Sequence, residues 1–351
     1  MQIHGRTQAL IGVLATAICL AIPASAFAGH DLGIYKAEKH LDLNSDETQV
    51  DVNCYGNDYA LDGMWRIDHG DQDDDDISVT AIGRAVDVRE AYPVDSADSD
   101  AKFDGYHFFF DKNVIGRAQV KVWALCIKSQ TEQSGGHSHS IPFVPAAGYP
   151  KKFTAAAGPP PGYSAWPGTT GTFSDANACP SNTFVSTPGY KVTPSGTDPV
   201  PYAEHLGEDW PTSVSGWSWI MDLSQDSNAK VDFYLSCVSR KLPAAGGERH
   251  KLVYRLQGPE DNTLAPNRVS TKRISCAAHY KAVVAGFSLF PGWANQADPS
   301  PDFASFFTPN WWYLGMDPQP KSRDFKFLNA TGVAATNKAH LKAICLNYRT
   351  T

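Results

Sequence analysis

By type and spacing, the residues best suited to chemistry are the two histidines of Gly136-His137-Ser138-His139. In an extended segment, side chains two residues apart project to the same side. Paired imidazoles of this kind can hold zinc or copper. A metal site needs at least a third ligand, for which His30, His40, His250 and unspecified Asp or Glu residues are the candidates. Histidine also recurs near the start of each repeat described below, at Gly29-His30, Gly136-His137 and Arg249-His250, a recurrence that argues for a junction role.

The densest charge cluster is Asp71-Gln72-Asp73-Asp74-Asp75-Asp76. Carboxylates at alternate positions, Asp71, Asp73 and Asp75, could wrap a hard cation. The loop is not an EF-hand, because its sixth position is Asp76 instead of glycine and its twelfth is Ile82 instead of glutamate. A solvated hairpin loop is the plainer expectation, and weakly held calcium is the only cofactor this stretch invites.

Nucleophilic and cofactor chemistry find no support. Ser215-Gly216-Trp217-Ser218-Trp219 is not a nucleophile elbow, and no phosphate loop, Cys-x-x-Cys or His-Glu-x-x-His is present. The sequence therefore singles out no catalytic residue, although a glycosidase carboxylate pair has no short motif to find. Trp293, Trp311, Trp312 and Tyr313 lie in or beside a long polar and aromatic insertion, Asp298–Pro309. Aromatic side chains there could stack on sugar rings or fill a partner's pocket, or fold back over the end of a sandwich.

The elements that must position these residues are short alternating segments ending on cysteine. Ala118–Cys126, Ala229–Cys237 and Lys338–Cys345 each read as a half-buried strand, with Val120, Val122, Ala124 and Cys126 on one face of the first. A glycine follows each opening cysteine nine or ten residues on, at Gly63, Gly189 and Gly286. Tyr106–Asp111 aligns without a gap on Trp217–Asp222, and Arg323–Leu328 matches both. The chain thus repeats one β-module three times. We expect an all-β protein of three tandem β-sandwich-like, immunoglobulin-like modules, with a pseudo-threefold β-prism as the alternative, because three repeats can also close on one another. Val79–Val88 is expected to be the fourth strand of the first module.

Residues 1–28 read as a signal peptide: Arg6, the apolar run Ala9–Ile22, and small-x-small sites ending at Ala28. The remaining plan is module one at 29–128, a Pro/Gly-rich linker at 129–172, module two at 173–242 and module three at 243–351. Cys19 leaves with the signal. Six cysteines remain, an even number suited to an oxidising compartment. The internal repeat pairs Cys54 with Cys126, Cys179 with Cys237 and Cys276 with Cys345. The chain carries a net charge of −7, and its loss of Arg6 makes the exported form slightly more acidic still. Nucleic acid and anionic lipid are therefore poor partners, and no apolar run after the signal is long enough for membrane insertion as a helix.

At Cys276–Leu346 the succession Val-Ala-Gly-Phe, Leu-Gly-Met-Asp-Pro-Gln-Pro-Lys-Ser-Arg-Asp-Phe-Lys-Phe-Leu-Asn-Ala-Thr-Gly and Ile-Cys-Leu resembles the tandem cysteine-paired β-repeats of secreted bacterial proteins. The resemblance is best in module three; module two lacks the Asp-Pro-x-Pro segment. It implies a disulfide-stapled β-repeat fold outside the cytoplasm and carries over no catalytic residue. The function expected is that of a secreted, periplasmic or cell-surface protein with a structural, adhesive or binding role and no catalysis. Its partners would be a cell-surface glycan or protein, or further copies of itself. A carbohydrate-binding or carbohydrate-active protein is the alternative, and a metal-dependent hydrolase using His137 and His139 a third.

Overall fold

The computed structural model describes residues 31–43, 47–69, 86–95, 103–112, 118–154, 156–157, 169–195, 205–222, 229–289, 311–329 and 334–350. The expected signal peptide, Asp71, Asp73 and Asp75, and Trp293 lie outside them. All regular structure among the described residues is β-strand. Module one contributes β1 (Ile34–Leu43), β2 (Glu47–Asn53), β3 (Tyr59–His69), β4 (Val86–Val94), β5 (Gly105–Lys112) and β6 (Ala118–Ile127). Of the expected fourth strand Val79–Val88, residues 79–85 lie outside the described ones, and β4 continues past Val88 to Val94. Its alternating Val86 and Val88 point inward, and pairing with β5 carries the strand on through Tyr92 and Pro93.

The connection at 129–172 is more than a tether. It holds β7 (Phe143–Pro145), β8 (Lys151–Thr154), β9 (Ala156–Ala157) and the start of β10 (Thr169–Asp175). Module two continues with β11 (Thr183–Thr193), β12 (His205–Ser213), β13 (Gly216–Asp222) and β14 (Lys230–Ser239). Module three comprises β15 (His250–Leu264), β16 (Arg268–Ser275), β17 (Lys281–Ser288), β18 (Trp311–Gln319), β19 (Ser322–Asn329) and β20 (Ala335–Thr350). β7 and β8 both pair with β14, so proline- and glycine-rich composition hides two short strands of module two.

The three modules share their sheets. The first sheet runs β1-β6-β3-β18-β19-β16, half from module one and half from module three. The second, β2-β5-β4-β11-β14-β7, joins modules one and two; the third, β15-β20-β17-β12-β13-β10-β9, joins modules three and two. Every module splits into two half-sheets, and each half completes a neighbour's. The ring closes through three antiparallel junctions, β3 with β18, β4 with β11 and β12 with β17. This is the threefold closure of repeats, achieved with sandwich-like modules as its parts.

Each disulfide ties together the two half-sheets of its own module. Cys54, at the end of β2, is bonded to Cys126 in β6; Cys179, beyond β10, to Cys237 in β14; Cys276, at the end of β16, to Cys345 in β20. Three disulfides therefore link the three sheets in pairs. Disulfides of this kind mark a chain that folds outside the reducing cytoplasm. No helix among the described residues is long and apolar enough to cross a membrane.

Alternation explains the interior. Val120, Val122, Ala124 and Cys126 are all buried, and so are Trp123 and Leu125 on the other face of β6, which lies between β1 and β3. The same inward position opens β5, β13 and β19, where it is filled by Tyr106, Trp217 and Arg323, each fully buried. Tyr106 donates its hydroxyl hydrogen to the Pro188 carbonyl of module two, 3.1 Å away. Trp217 donates its indole N–H to Asp209 at 2.7 Å. Arg323 lies with Nε 4.0 Å from the Asp62 carboxylate of module one and donates Nη1 to the Gln319 and Ser322 carbonyls. Asp62 in turn accepts the Ala285 N–H of module three.

Three acidic groups in this interior are pushed up. Burial raises Asp62 well above the carboxylate range against the pull of Arg323, and burial also raises Glu208. Desolvation lifts Asp209 to about 7, opposed by its hydrogen bond from Trp217. The folded chain thus keeps protons that an unfolded chain releases near pH 4. The stability these protons lend is complete below that pH and is lost as pH rises toward the folded values. The melting temperature is expected to fall between pH 5 and pH 8. A flat or rising profile would show that these carboxyls ionise in the fold at no cost.

Candidate metal centre

The two connections between modules each open with a tight hairpin. In the first, Ser134 and His137 bracket Gly135-Gly136; in the second, Ala245 and Glu248 bracket Gly246-Gly247. All four glycines have φ between +57° and +81°. Two-residue loops with both central residues at positive φ are type I′ turns, which suit the right-handed twist of their arms and call for glycine. The ladder beyond each turn matches as well: Thr131 N–H donates to the His139 carbonyl at 2.9 Å, and Leu242 N–H to the His250 carbonyl at 3.2 Å.

Counting from the closing cysteines shows why the hairpins agree. His137 and Glu248 each stand eleven residues past Cys126 and Cys237, and His139 and His250 thirteen past. The register Gly136-His137 with Arg249-His250, expected above, is therefore off by two; His139 is the counterpart of His250. Each hairpin presents two donors on one face, as the two-residue period of an extended strand requires.

β14 brings the hairpins face to face. β7, which follows the first hairpin, pairs with β14 through Val144 opposite Cys237, and β14 itself runs on into the second hairpin. The His137 ring lies directly against the backbone of Gly246, where any side chain would collide with it. His139 Nδ1 is 2.9 Å from the Pro243 carbonyl. A carbonyl only accepts, so Nδ1 carries the proton and Nε2 bears the lone pair. His137 Nδ1 has the same relation to the Gly135 carbonyl at 3.4 Å, while its Nε2 lies 3.5 Å from Glu248. Backbone carbonyls that fix the tautomer of an imidazole are a usual outer shell of metal ligands.

His250 completes the cluster, with Nε2 2.8 Å from Glu248 Oε2. One ligand atom from each of His137, His139, Glu248 and His250 lies within 4.8 Å of all the others. Bonds of ~2.0–2.1 Å in a tetrahedron place donors ~3.3 Å apart, so the four need to close in by on the order of 1 Å. The imidazoles pack as a column, His137 to His139 at 5.2 Å, His139 to His250 at 4.3 Å, and His250 stacked on Tyr348 at 5.0 Å. His139 and His250 are buried, His137 is half-buried, and the Glu248 side chain is 50% exposed, so the site is reached from the carboxylate side.

The structure brings together His137 and His139 from the sequence reading, with His250, and adds Glu248, which that reading missed. His40 sits instead on β1, opposite Lys121. Of the aromatic residues, Trp311, Trp312 and Tyr313 belong to strand β18 and not to a loop. Tyr313 is turned inward, its ring 4.0 Å from Phe287 and 5.4 Å from Trp65. It is half-buried, and the alternation of β18 places its ring among the aromatic side chains where the modules meet. No protein-family model matches the chain, and no characterised protein matches it.

Proposed function

We propose that this is a non-catalytic binding protein of an extracytoplasmic compartment, and that the site between its modules takes one divalent transition-metal ion. The observation that carries this reading is the convergence of four donor atoms within 4.8 Å from two hairpins of equivalent sequence position. Three imidazoles and one carboxylate suit zinc, copper, nickel or cobalt, whereas calcium and magnesium take oxygen donors. Four protein donors fill a tetrahedral shell, the arrangement of structural sites; catalytic zinc sites leave a position for water or substrate. Burial of two imidazoles with fixed surroundings favours retention of the ion over turnover.

The test is titration of the metal-stripped exported chain with zinc by calorimetry, and with cobalt by visible absorption. One ion per chain is expected, with the intense cobalt bands of a tetrahedral site. His139→Ala should weaken binding by at least about 100-fold without changing the strand content seen by circular dichroism. Absence of saturable binding at one ion per chain would refute the reading, as would equal affinity in His139→Ala.

A further inference from the structure

We infer that a metal ion at this site is a clasp that holds the entry strands of modules two and three together, so that metal supply sets how firmly these two edge strands are held. This deepens the reading of the site as a metal centre and rests on it. Its basis is where the four donors come from. His137 and His139 belong to the connection between modules one and two, Glu248 to the turn that leads from module two into module three, and His250 is the first residue of β15. A metal bound by all four therefore crosslinks two segments more than 100 residues apart in the chain.

Both segments lead directly into sheet edges. The first hairpin feeds β7, a three-residue edge strand on β14; the second feeds β15, the outer strand of the third sheet. Edge strands have one hydrogen-bonded neighbour and open more readily than central ones. Without a metal, what spans the two hairpins at the cluster includes the His139–Pro243 hydrogen bond and the contacts of Glu248 with His137 and His250. The Glu248–His250 pair lies within one hairpin, so it does not by itself couple the two. Four coordination bonds replace these contacts with a crosslink between two hairpins that both hang from the same end of β14.

The experiment is amide hydrogen exchange, followed by mass spectrometry, on the full exported chain with zinc and with EDTA. With one equivalent of zinc, exchange should slow at least tenfold in the turns at 134–139 and 245–250. It should slow likewise in β7 and in the first turn-proximal residues of β15. The effect should vanish in His139→Ala and be reduced in Glu248→Gln, the milder change, which keeps the shape of the hairpin. Slowing confined to the two turns, or no slowing, in a chain that calorimetry shows to hold one zinc would overturn the clasp and leave the metal centre standing. A chain that binds no zinc would overturn both. Equal slowing in His139→Ala would also overturn the clasp, by showing that the metal acts elsewhere.

Discussion

Replacing Asp62 by alanine is expected to destabilise the protein by about 1–3 kcal/mol, the cost of leaving buried hydrogen-bonding groups without their partner; burial keeps the Asp62 carboxyl protonated beside Arg323. Arg323 is fully buried and lies 4.0 Å from Asp62, with the two residues contributed by modules three and one. Its guanidinium stays charged at any working pH, although burial pulls it below its ordinary value. Loss of Asp62 leaves that charge with backbone carbonyls alone and also removes the acceptor for the Ala285 N–H. The Arg323→Met change should cost less, because methionine fills similar volume without a charge and matches the apolar residues at the equivalent positions, Tyr106 and Trp217. Combining Asp62→Ala with Arg323→Met should recover part of the loss. Denaturant unfolding of the four proteins closes a double-mutant cycle, and a coupling near zero would mean that the two side chains do not act as a pair.

Removal of a single disulfide is expected to cost about 4 kcal/mol and to weaken the whole molecule in one transition. The separations of 58, 69 and 72 residues between partners set that magnitude on the loop-entropy account. The second half of the expectation comes from the shared sheets. Changing Cys54 and Cys126 to alanine frees β2 from β6, and these belong to different sheets whose other halves come from modules two and three. Module one cannot unfold while its neighbours keep complete sheets. Circular dichroism and intrinsic tryptophan fluorescence should therefore report one coincident transition at lower denaturant. Two resolved transitions, with modules two and three persisting after module one is lost, would show that the modules are independent in energy even though they are joined in geometry.

Much of this fold was legible in the residues, because period-two alternation and the repeated cysteine–glycine spacing are local signals. Sharing of half-sheets was not. Alternation says which face of a strand is buried and nothing about which strand lies beside it, so β3 beside β18 could not be read from either segment. Arg323 shows both the reach and the limit of the pattern. It stands on the same alternating face as Phe325 and Phe327, and that face is buried throughout; residue type alone would have placed it in solvent. At the candidate metal site, His137 and His139 announce themselves by spacing, whereas Glu248 is an ordinary exposed-looking glutamate. Its signal lay in the repeat, since Gly-Gly and the two donors fall at equal distances from Cys126 and Cys237. Aligning histidine with histidine hid that correspondence, which aligning by cysteine brings out.

The exchange of half-sheets also bears on when the protein can fold. The first sheet needs β1, β3 and β6 from the beginning of the chain and β16, β18 and β19 from near its end. A chain emerging from its N-terminus can close the Cys54–Cys126 loop early, but the partner for β3 at Gly315 arrives some 250 residues later. Contacts of such separation slow folding, and strand edges left waiting for partners are prone to wrong pairing. Nascent molecules close together could then complete one another's half-sheets, giving intertwined dimers in place of closed monomers. Dilution during refolding, more than any change of sequence, should decide between those two outcomes.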